Sequence, residues 1–251
     1  MKFIHSVQSE WYKTKRSAAS WLCIVGGFFI PIIYFIAFLK NQNSINDYDS
    51  KINIWDNLFM QLWSNMGTFI LPMGLILASS LLTQMEFKNN TWKQLHTTPQ
   101  SYTNIFFAKF SVLLLMTLKF FIFFNIGMIL TGLLPCLIFD HQLPKEAIPI
   151  KNFAMGNLKI FVASMPLLAL QYLLSLKFKN FLVPVGIGLM GLIGTLIGIQ
   201  WKYIFISPYS YAPLLFMKGV SKINIFLYAG IPFILIMTIS YFLYIAKKEK
   251  G

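Results

Sequence analysis

Few residues in this sequence could do chemistry, and most of them lack the neighbours chemistry needs. The apolar run 105–134 holds Lys119 and Asn125. A lysine near mid-bilayer costs about 2.5–3.5 kcal/mol to insert, so it is by default a functional candidate. No Asp or Glu lies in any apolar run to pair with it, so two readings stand: Lys119 and Asn125 line a polar cavity, or Lys119 snorkels to the interface. Residues 186–191 spell GxGxxG, but a dinucleotide site needs a preceding strand and a soluble βαβ unit, and neither is present. His5, His96 and His141 are far apart, and Cys23 and Cys136 sit in no CxxC or Cys/His metal spacing, so no metal site is expected. Paired carboxylates, Ser/His pairs and His clusters are missing from the apolar runs, which argues against an intramembrane enzyme. No GxxxxGK[ST] loop occurs, so the chain itself should neither bind ATP nor catalyse its hydrolysis.

The elements that carry these residues belong to a membrane. Apolar residues make up 57% of the 251, charged residues 12%, and mean hydropathy is +0.64. A soluble domain carries roughly twice that charge. Six uncharged or nearly uncharged runs reach span length, at about 21–39, 58–83, 105–134, 158–176, 181–200 and 223–246. None alternates with period two, so an all-α polytopic fold is expected, with one transmembrane domain over 1–251. The first run has no small-residue cleavage site after it and reads as a retained span.

The 21 Lys and Arg against 8 Asp and Glu give a net charge of +13. In a soluble protein this would suggest nucleic acid; here it matches the excess of cations in cytoplasmic loops. Both termini are then cytoplasmic, and the acidic residues Asp47, Asp49, Asp56, Asp140 and Glu146 lie outside.

Three further segments are informative. In residues 1–17, Phe3, Ile4, Val7 and Trp11 share an arc of about 100° opposite Lys2, Lys13 and Arg16, as in a helix lying on a lipid surface. Between the second and third runs, residues 84–97 read as a short helix with Met85, Trp92 and Leu95 on one face, stopped before Pro99. An exposed Trp and Leu there suit either a partner pocket or the membrane surface. Gly191, Gly194 and Gly198 share one face of the fifth run, as in close helix packing. Residues 201–222 form an aromatic, proline-broken outer segment, as in an interfacial belt.

The stretch with Glu86, Thr91, Trp92, Leu95, Thr98 and Pro99 resembles the coupling helix of type-2 ABC transporter permeases. Ser9-Glu10-Trp11-Tyr12-Lys13-Thr14-Lys15 is similar to that family's amphipathic N-terminal helix, and the closest subset is the short bacterial permeases of lantibiotic immunity and peptide efflux. The resemblance implies a multi-pass permease of the bacterial cytoplasmic membrane, paired with a second copy or paralogue. It also implies a separate ATP-binding cassette subunit that carries the ATP and Mg and grips the coupling helix through Met85, Glu86, Thr91, Trp92, Leu95, Thr98 and Pro99. Residues 201–222 would then be re-entrant, capping the outer mouth of the pathway. The function implied is ATP-driven export of a lipophilic or amphipathic substrate, antimicrobial peptides included. The alternative is an ion-coupled carrier or channel with no ATPase partner, against which the missing intramembrane acids count.

Overall fold

The computed structural model describes residues 2–40, 54–88, 101–138, 147–217 and 224–248, and these are helical with short turns. Helix α1 spans Lys2–Thr14 and α2 Ala18–Lys40. Helix α3, Ile54–Asn65, runs through a π-helical turn at Met66–Ile70 into α4, Leu71–Lys88. Then come α5 (Tyr102–Ile138), α6 (Ile150–Lys177), α7 (Leu182–Ile197), a 3-10 turn at Ile204–Ile206, α8 (Tyr211–Leu214) and α9 (Ile225–Lys248).

Five of these stretches are long and apolar enough to cross a membrane: Ala18–Lys40, Trp55–Met85, Tyr102–Pro135, Ile150–Lys177 and Ile225–Ala246. The sixth expected span, 181–200, folds as the 16-residue α7. At 1.5 Å per residue that is about 24 Å, short of a hydrocarbon core of about 30 Å. Its C-terminus stops at Gly198, whose amide donates to Gly194 O at 3.0 Å, and the chain then breaks into turns.

Side-chain pairs fix the helix directions. Lys119 meets Ser20 and Thr131 meets Pro31, so α2 and α5 run parallel. Trp63 packs on Gly156 and Ser80 lies 3.4 Å from Ser175, so α3–α4 and α6 run parallel. Phe106 stacks near Tyr244 while Phe110 meets Phe233, so α9 opposes α5. One end of the bundle, here the proximal end, gathers α1, the end of α4, the start of α5 and the ends of α6 and α9. The distal end holds the start of α3, the start of α6 and residues 204–217.

Lipid tails are as apolar as leucine, so close packing rather than hydrophobic burial joins such helices. The joints here are large rings set into glycines. Trp55, Phe59 and Trp63 form a ladder at four-residue spacing along α3. Trp55 fills the space a Cβ of Gly132 would need, and Trp63 that of Gly156. Between α2 and α5, a Cβ on Gly27 would stand 2.9 Å from Phe123 and 3.0 Å from the Phe120 carbonyl.

Candidate functional site

The proximal end begins with an unexpected contact. Helix α1 does not turn its apolar arc alone to the surroundings. Phe3 and Ile4 are exposed, whereas Val7 and Trp11 lean half-buried on the bundle. The buried line is polar: Ser6, Glu10 and Thr14, four residues apart. Glu10 explains why this polar line faces the bundle. Its Oε2 accepts from Lys109 Nζ of α5 at 2.8 Å, both residues being buried, and its Oε1 accepts from Lys13. Burial by itself raises the Glu10 pKa, but the neighbouring Lys109 and Lys13 outweigh it and hold the carboxyl below its ordinary value of 4.5. A sharp corner then leads to α2. Arg16 takes a left-handed φ of 61°, and Ser17 Oγ accepts from the Ser20 amide at 3.3 Å, capping the new helix.

Lys119 donates to Ser20 Oγ at 2.6 Å and to Ser20 O at 3.4 Å. Ser20 belongs to the first turn of α2, so the ammonium reaches the end of a neighbouring helix rather than a cavity at mid-span. This geometry favours the snorkelling reading. Asn125 donates to Phe121 O of its own helix at 2.8 Å, and its buried Oδ1 has no partner among the described residues. The structure does not bring Lys119 and Asn125 together.

The expected coupling helix falls mostly outside the described residues: Thr91, Trp92, Leu95, Thr98 and Pro99 are not described. What is described is its root. Helix α4 continues without a break through Glu86 to Lys88, so the segment grows directly from the second span's helix. Met85 packs half-buried against the main core.

The glycine face of α7 separates into different environments. A Cβ on Gly191 would come within 2.6 Å of the Tyr209 ring, whereas Gly194 faces open space and Gly198 ends the helix. The tight contact on the α4 and α6 side is made by Gly188, whose Cβ would stand 2.5 Å from Gln171 Nε2 and 2.8 Å from Ile76. Gln171 in turn donates to Tyr209 Oη at 2.7 Å, tying the 201–217 segment into the bundle. Trp201 and Tyr203 stay exposed, as an aromatic belt would be, while Tyr209 and Tyr211 are buried.

Sequence reasoning missed Glu10 and Lys109 as a pair. Part of the signal was present: Lys109 is a charge in a segment with no Asp or Glu, and a buried charge needs a counter-ion. Among the described residues, no group of three or more His, Cys, Asp or Glu side chains could hold a metal.

Cations crowd the proximal end: Lys13, Lys15, Arg16, Lys177 and Lys179 lie there, against Lys40, Lys151 and Lys202 at the distal end. No curated protein and no solved structure matches the chain. The family described as ABC-2 family transporter protein matches residues 6–195, from the buried face of α1 through the described residues of four long apolar stretches and most of α7. An all-helical, multi-pass chain whose match begins in the N-terminal helix and covers most of its length belongs to the ABC-2 family of transporter proteins.

Proposed function

We propose that this chain is the membrane-spanning subunit of an ATP-driven exporter. The observation that carries the reading is the family membership over residues 6–195. The chain crosses the membrane six times, with α7 and the turns after it making up the short crossing, and both termini are cytoplasmic. The concentration of Lys and Arg at the proximal end supports this orientation. Helix α1 lies at the cytoplasmic interface, where exposed Phe3 and Ile4 meet lipid.

The ATP-binding cassette subunit is a separate chain that carries ATP and Mg. It docks on the segment 84–97, with Trp92 as the anchor flanked by Met85 and Leu95. Because α4 runs unbroken to Lys88, a push on that segment is delivered to the second span as a rigid-body motion. Two permease chains, identical or paralogous, complete the transporter in the bacterial cytoplasmic membrane. The cargo is lipophilic or amphipathic, antimicrobial peptides included.

The test is co-purification. Truncating a buried interface Trp commonly costs about 2 kcal/mol, roughly thirtyfold in affinity. Trp92→Ala should therefore release the ATPase subunit or uncouple hydrolysis from transport, while the spans still insert. Normal complex yield together with normal transport in that variant would refute the docking role.

A further inference from the structure

At the distal end a cavity of about 430 Å³ opens between α3, α6, α9 and the 204–217 segment. That volume falls in the range of small-molecule sites. Its walls are mostly apolar, with Trp63, Met60 and Phe216 prominent. Met60, Met155 and Tyr228 line it and are themselves exposed, so it opens sideways at the bundle surface. The π-helical turn in the second span ends the α3 wall, setting Gly67 against Ala212 and Phe216. Such turns recur at functional sites.

Three polar side chains break the apolar lining: Asp56 on α3, and Asn152 and Lys159 on α6. Asn152 Nδ2 donates to both Asp56 oxygens, at 3.3 and 3.4 Å. Among the described residues Asp56 has no cationic partner, so its charge is open to a ligand. Lys159 is seven residues beyond Asn152, two turns along the same helical face. It makes no hydrogen bond or ion pair with any described residue. Lys159 and Asp56 line the same cavity. Trp63 is 7% exposed, and its indole N–H has no partner among the described residues. Buried donors normally find one.

A purely anionic guest would meet the Asp56 carboxylate, a purely cationic guest the Lys159 ammonium. An uncharged guest would engage neither charge. We propose that this cavity binds a zwitterionic amphiphile. The guest's ammonium group sits at Asp56 and its acidic group at Lys159. Its apolar body lies along Trp63, Met60 and Phe216 and leaves through the side opening. The site does not depend on the ATP-binding partner and survives the loss of that reading.

The test uses protein purified in dodecyl maltoside and titrated with lysophosphatidylcholine, with the bound copies counted by native mass spectrometry. One copy should bind saturably. Asp56→Asn and Lys159→Gln should each weaken it by about tenfold or more, as loss of a charge-assisted contact does. Lysophosphatidylglycerol and dodecyltrimethylammonium should bind at least as weakly to the native chain as lysophosphatidylcholine does to the variants. Neither Asp56 nor Lys159 is buried, so the variants keep the fold, checked by a monodisperse elution profile. If one phospholipid stays with the native chain from the membrane and is lost from both variants, the guest is a bilayer lipid. Binding of the added probe alone identifies a diffusible amphiphile. Unchanged affinity in either variant, or equal binding of the anionic probe, would overturn the proposal.

Discussion

Replacing Lys109 by Met would leave Glu10 buried without its buried counter-charge. The two residues are 2% and 7% exposed, and Nζ lies 2.8 Å from Oε2. Removing one member of a buried pair costs about 3–5 kcal/mol. Lys13 stays on the other carboxylate oxygen, but its side chain is 39% exposed, and such a pair offsets at most about 1 kcal/mol. The remaining ~2–4 kcal/mol corresponds to a rise of roughly thirtyfold to several hundredfold in the undocked fraction of α1. Hydrogen exchange of the α1 amides in the purified variant reads this directly. Exchange within threefold of the native chain would refute the reasoning. So would a Glu10→Met/Lys109→Met double variant as labile as the single one, because replacing both charges by packed apolar groups is often neutral. The pH dependence has a definite sign. The Glu10 carboxyl is held below 4.5 in the folded chain. Its contribution is fully present above the unfolded value and is lost as pH falls through the lowered folded value. Docking of α1 should therefore hold steady from neutral pH to about pH 5 and weaken only in stronger acid.

Other outcomes are equally specific. Gly156→Val would drive a side chain into Trp63, and overpacking of this kind costs about 1–3 kcal/mol, visible as a lower Tm in detergent. Gly194→Ala should leave Tm unchanged or raise it, since nothing lies within 4 Å and alanine favours the helix; a clear loss would point to a second chain packed there. Lys119→Gln should insert and transport as the native chain does, because an amide can still meet Ser20; lost transport with normal insertion would restore the pathway role. Cysteines placed at Ser44 and Gln142 should label from outside the cell and one at Asn90 from inside, and the reverse pattern would overturn the orientation.

The class of the fold was legible in the residues. A bilayer forces long apolar runs into helices, so runs at 21–39, 58–83, 105–134, 158–176 and 223–246 foretell five of the long helices to within a few residues to a turn or two. The clustering of cations at one end was also legible, because charge is excluded from spans and collects at their ends. Which way each helix faces was not. Lipid and protein interior are equally apolar, so hydrophobic periodicity loses its meaning inside the membrane, and only van der Waals fit decides. That is why Gly132 and Gly156, unremarked in the sequence, receive Trp55 and Trp63, whereas the regular Gly191, Gly194 and Gly198 face makes only one such contact among the described residues. The same holds for charge. Glu10 and Lys109 are 99 residues apart, and nothing local in either segment names the other. Asp56, Asn152 and Lys159 come from two separate spans and line one cavity where Trp63 seats on Gly156. Composition alone puts this chain in a membrane and gathers its cations at one end; which polar groups meet is set by packing, because a buried charge is satisfied by whatever the fold brings to it.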